Sequence, residues 1–176
     1  MEEHGWLILV AAAMMLGGMT LWEMRRLAPG FAGLQSRLSG YDAELIAFLK
    51  DLGGDAVQLE RVNRVRKLDL RVPAILGFVF IAANLLFASE PGTARMIPHF
   101  IPALQVLGIG AAVIALAGDY LENIQLGRMI DVLPALPDNA RVLRASRTTV
   151  VKLWAYIAAV VIAAPQLLVY LCLKIF

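Results

Sequence analysis

Three polar residues close together in an otherwise apolar stretch offer the most chemistry in this chain. In Gly118-Asp119-Tyr120-Leu121-Glu122-Asn123, residues 119, 122 and 123 are three and four apart. Helical spacing puts all three on one face. Two carboxylates and an amide on one face can ligate a cation through oxygen. They can also divide acid and base roles if their surroundings separate their pKa values, or lock a helix end to basic residues on a neighbour. Ionisable groups at membrane depth are costly unless paired or solvated, so such a cluster is a functional candidate by default. Asp69 is the further carboxylate expected at the same depth, and Arg144, Arg147, Lys152 and Arg71 are the cations within reach.

Other chemistries lack their residues. One cysteine, Cys172, rules out an intrachain disulfide and a multi-cysteine zinc site, and the two histidines, His4 and His99, cannot hold two bis-histidine haems. There is no His-Glu-x-x-His, no Cys-x-x-Cys and no Asp-Gly-x-x-Ala-Arg signature of lipid alcohol phosphotransferases. Gly108-Ile109-Gly110 follows no strand and reads as helix packing rather than a nucleotide loop. No metal and no cofactor are expected. A net charge of +2 is too small to suggest nucleic-acid binding.

The elements that must position the cluster are membrane helices. The 176 residues are 60% hydrophobic and 17% charged, with a mean hydropathy of +0.71. Soluble domains average about 45–50% apolar and about 25% charged. Four runs fall within the range of about 17–25 residues that crosses hydrocarbon, at about 6–22, 72–88, 101–121 and 149–173. The sequence therefore predicts an all-α integral membrane four-helix bundle in one domain, 1–176. In the first run Trp6 and Trp22 stand as interfacial anchors. Arg25 and Arg26 follow the run instead of preceding it, the pattern of a retained helix. Ala13 with Gly17, and Met14 with Gly18, offer faces for close helix approach. The Met14, Met15 and Met19 cluster reads as adaptable packing.

Between the first and second spans, the segment at about 39–69 carries two amphipathic helical patterns. Leu45, Phe48, Leu49 and Leu52 form one stripe, ended by Gly53-Gly54, and Val57, Leu59, Val62, Val65 and Leu68 form the next. These helices are expected on the membrane face or capping the bundle. Ser89-Glu90-Pro91-Gly92 signals a turn, His99 reads as a loop residue, and Asp138 is placed to cap the last helix.

Charge sets the expected orientation. Nine of the sixteen basic residues lie in the first polar segment and five follow the third span, leaving Arg95 and Lys174 on the other side. Both long segments should then be cytoplasmic, with both termini outside the cytoplasm, across a cell inner membrane. Asp69, Asp119, Glu122 and Asn123 should meet at the cytoplasmic boundary, near Arg144 and Arg147. Asn84, Gln105 and Gln166 should form a polar layer in the outer half. On the third span Gln105, Gly108, Ala112, Ala115, Asp119 and Glu122 share one face of small and polar residues, which should point into the bundle.

Tyr41-Asp42-Ala43-Glu44 with Leu49 and Leu52-Gly53, then Leu68-Asp69-Leu70 with Pro73, then Asp119-Tyr120-Leu121-Glu122-Asn123 occur in that order. This succession resembles a group of uncharacterised bacterial four-span membrane proteins with an Asp-x-x-x-Pro motif at the second span and Asp-x-x-Glu-Asn on the third. The likeness covers about residues 39–125. It departs at Ile75-Leu76-Gly77-Phe78, where the group often carries an aromatic and glycine pair. The resemblance implies the four-helix architecture and singles out Asp69, Asp119, Glu122 and Asn123; it implies no activity. The expected role is a small-molecule, lipid or ion binding or transport protein, or an accessory subunit. Membrane lipids and a homo-oligomer or larger complex are the expected partners. The alternatives are a membrane enzyme using a carboxylate pair on a lipid or isoprenoid, and a structural subunit with a salt-bridged helix-end network.

Overall fold

The computed structural model describes residues 2–40, 42–89 and 101–175. The described residues form seven helices: α1 (Glu2–Leu27), α2 (Pro29–Gln35), α3 (Asp42–Leu52), α4 (Ala56–Asp69), α5 (Val72–Ser89), α6 (Ile101–Ile130) and α7 (Asn139–Ile175). Tyr41, the turn from Glu90 to Gly92, Arg95 and His99 lie outside the described residues.

Four helices are long and apolar enough to cross a membrane, in α1, α5, α6 and α7. Their surfaces are those of a multi-pass membrane protein. Large apolar side chains such as Met15 (66% exposed), Val106 (73%) and Leu168 (64%) face outward, where lipid, not water, is the natural solvent. The inward side is small and close-packed. Gly108, Ala112, Ala115, Gly118, Asp119, Glu122 and Asn123 are all buried on α6, along the face that helical spacing picks out, and Gln105 is half-buried. α6 packs most extensively on α7, then α5; α1 lies on α5. Gly17 of α1 is buried opposite Ile75, whereas Gly18 meets nothing and Met14 is exposed, so only one of the two small-residue faces is used. Arg26 stacks over the Trp22 ring at 5.3 Å, a cation–π contact at the helix end.

The first polar segment caps the bundle. Leu45, Leu49, Leu52, Val62 and Val65, at most 1% exposed, join Phe31, Leu34 and Met24 in one apolar core with Leu126, Met129, Ile130 and Val142. The last turns of α6 and the first of α7 thus extend past the spans to close a water-soluble type of core. Asp55 starts α4 by accepting from the Val57 and Gln58 amides, both at 3.0 Å, an N-cap that satisfies otherwise unpaired donors. Asp138 caps α7 through the Arg141 amide at 2.8 Å. Arg66 ties α4 to the end of α6 through Asp131 at 3.1 Å. α7 continues helical through Pro165.

Helix α2 is an addition to the expected plan. Pro29 at its first position suits the fixed φ of proline and the missing N–H there, and Phe31, Leu34 and Gln35 turn inward. Through Gln35 this short helix reaches the carboxylate cluster.

Candidate functional site

The cluster is assembled where α4, α5, α6 and α7 converge beneath the cap. Asp119 lies eighteen residues into α6, about 27 Å along its axis at about 1.5 Å per residue, close to the far edge of a hydrocarbon core of about 30 Å. Asp69 ends α4, just before α5 begins. Lys152 comes from α7. All are removed from solvent: Asp69 is 4% exposed, Asp119 3%, Glu122 0% and Lys152 5%.

Lys152 is the counter-ion. Its Nζ donates to Asp119 Oδ1 at 2.6 Å and ion-pairs with Glu122 Oε2. Tyr156, one turn further along α7, donates its hydroxyl to Asp119 Oδ2 at 2.7 Å. The Thr149 hydroxyl donates to Glu122 Oε1. One face of α7, carrying Thr149, Lys152 and Tyr156, thereby matches the Asp119 and Glu122 face of α6. Close approach of the two backbones makes this fit. A Cβ on Gly118 would lie 2.8 Å from Lys152 Cβ, so only glycine leaves room for the lysine stem.

Asp69 is held differently. Gln35 Nε2 donates to its Oδ2 at 2.9 Å, and the buried Asn123 amide lies close by on α6. Among the described residues no cation pairs with Asp69 within 4 Å. The group therefore holds three carboxylates against one ammonium.

Asp69, Asp119, Lys152 and Tyr156 also line a cavity of about 180 Å3. Leu21, Met24, Leu76 and Leu153 supply its apolar wall, and Arg25 and Ser36 border it. This volume is comparable to the roughly 150 Å3 that accommodates benzene in an engineered apolar cavity. Among the described residues no group of three His, Cys, Asp or Glu is arranged to hold a metal ion. Lys152 occupies the place between Asp119 and Glu122 that a metal would need.

The structure brings together Asp69, Asp119, Glu122 and Asn123, but not Arg144 and Arg147. These arginines are exposed and border a different groove, between α6 and α7. The reason is angular. At about 100° per residue, Arg147 points about 140° away from Lys152 around α7 and Arg144 about 80° away, so only Lys152 faces the acids. Gln35, Tyr156 and Thr149 complete the cluster and were not singled out by spacing. Of the second polar group, Asn84 is fully buried and donates to the Phe80 carbonyl at 2.8 Å. Its amide fills the space over Gly108, where a Cβ would come within 2.3 Å of Oδ1. Gln166 is buried at 3% exposure and Gln105 is half-buried.

Comparison with protein-family models, with curated proteins and with solved structures finds no match.

Proposed function

We propose that this chain is a membrane binding protein for a small organic ammonium compound, with Asp69 as the ligand-facing carboxylate of the cavity beneath the cap. One observation carries the reading: Asp69 is buried, lines a cavity, accepts from the Gln35 amide and, among the described residues, has no cation within 4 Å, Lys152 being engaged by Asp119 and Glu122. An uncompensated carboxylate away from water is costly. An entering ammonium group removes that cost, and an alkyl substituent meets the leucines of the wall. The Tyr156 ring adds an aromatic surface suited to a cation. In the orientation that the basic residues favour, the cavity lies at the cytoplasmic end of the bundle.

A second reading has its own support. Asp119 and Glu122 are both satisfied by Lys152, with Tyr156 and Thr149 filling in, the arrangement of a network that fixes the register of α6 and α7. The two readings separate at Asp69, since the network needs only Asp119, Glu122 and Lys152.

Thermal unfolding of the detergent-solubilised chain with a series of primary alkylammonium chlorides, sodium chloride serving as the ionic control, distinguishes them. Ligand at ten times its Kd stabilises a single site by about 1.4 kcal/mol. The expected result is a rise in Tm specific to ammonium and absent in Asp69→Asn. Equal response of both proteins would leave the structural network as the better description.

A further inference from the structure

We propose that the groove between α6 and α7 is a binding site for an anionic phospholipid, with Arg144 and Arg147 holding the headgroup phosphate. The groove has a volume of about 620 Å3 and two chemically distinct ends. Arg144 and Arg147 stand at one end, three residues apart and therefore on neighbouring turns of one face. Ile114, Ala117, Leu121 and Val151 line the remainder. The apolar residues are open: Ile114 and Leu121 are each 53% exposed and Val151 55%.

The arginines are not committed elsewhere. Neither forms an ion pair with a carboxylate among the described residues, because Lys152 alone faces Asp119 and Glu122. Two unpaired guanidiniums at the end of a membrane helix, above an apolar trough, complement one phosphate with acyl chains running down the trough. Guanidinium is the cation best shaped for two-point contact with phosphate oxygens. The groove floor is set by Gly118, where α7 comes so near that no side chain fits. Val151 follows Arg147 by one turn, and Trp154, 58% exposed, comes three residues later on the same stripe. The stripe thus passes from cationic to apolar and aromatic along the path of a lipid. These residues are distinct from Asp69 and its cavity, so this site stands or falls independently of the ammonium site.

Native mass spectrometry of the full chain, released from micelles containing equal phosphatidylglycerol and phosphatidylcholine, tests the site. Each basic residue beside an anionic lipid strengthens binding roughly fivefold, so two give a preference of about twenty-five-fold for phosphatidylglycerol. Arg144→Gln with Arg147→Gln should bring the preference close to unity, and the corresponding double lysine variant should retain most of it. Ala117→Trp leaves every charge in place and fills the trough, so it should displace the bound lipid. Unfolding temperatures measured on each variant confirm that the fold is intact; both arginines and Ala117 are exposed. The proposal is overturned if the native chain shows no preference, if the glutamine variant keeps it, or if the preference survives Ala117→Trp. That last outcome would mark a diffuse surface attraction in place of a site.

Discussion

Replacing Lys152 by methionine removes the one ammonium from a group of three buried carboxylates while keeping the length of the side chain. Lys152 contacts Asp119 Oδ1 at 2.6 Å and Glu122 at the same time, with all three side chains at most 6% exposed. Removing one partner of a buried pair destabilises by about 3–5 kcal/mol, because the remaining charge is left without compensation. Here two carboxylates lose their counter-ion together, so the upper half of that range applies. On the scale of about 2–4 °C per kcal/mol for chains of this size, the Tm of the detergent-solubilised protein should fall by roughly 8–20 °C. Adding Glu122→Gln to Lys152→Met should recover at least about 1 kcal/mol, since it removes one stranded charge and leaves an amide that Thr149 can still reach. Tm and chemical unfolding of the native chain, both variants and Glu122→Gln alone complete the cycle. A Lys152→Met protein within about 1 kcal/mol of the native chain would refute the reasoning that Lys152 neutralises this group.

Other outcomes follow from the packing. Gly118→Ala places a Cβ 2.8 Å from Lys152 Cβ; overpacking of this kind costs about 1–3 kcal/mol, read as a lowered unfolding midpoint. Leu49→Ala empties a fully buried position of the cap and should cost about 2–5 kcal/mol, whereas a helix lying on the membrane surface would lose far less. In a Cys172→Ser background, a cysteine at the exposed Asp51 position should react with a membrane-impermeant maleimide only when the cytoplasmic face is accessible. Labelling from the opposite face would reverse the orientation drawn from the basic residues.

The inward face of α6 was legible because one helix carries its own ruler. Gly108, Ala112, Ala115, Asp119 and Glu122 recur at helical spacing, and burial follows that line. The cap was legible as two amphipathic stripes. Its place on the bundle was not, because a stripe states which side is apolar without naming what covers it. The partner of the carboxylates was harder still. Arg144, Arg147 and Lys152 all enter the last helix near the right depth, and only the rotation of α7 about its axis decides among them. That rotation is fixed by Gly118 against Lys152, a contact between two helices that no spacing within either helix contains. Gln35 was hidden for a related reason: α2 is a seven-residue helix, too short for periodicity to declare it, with Pro29 as its one clear signal.

The claim that Asp69 is the ligand-facing carboxylate is tested most directly by calorimetric titration of the solubilised chain with n-propylammonium chloride, set against n-propanol as the uncharged match. Saturable one-to-one binding of the ammonium, none of the alcohol, and loss of binding in an Asp69→Asn protein that keeps its unfolding temperature is the predicted result. Binding undiminished in Asp69→Asn, or no binding by the native chain, would contradict it.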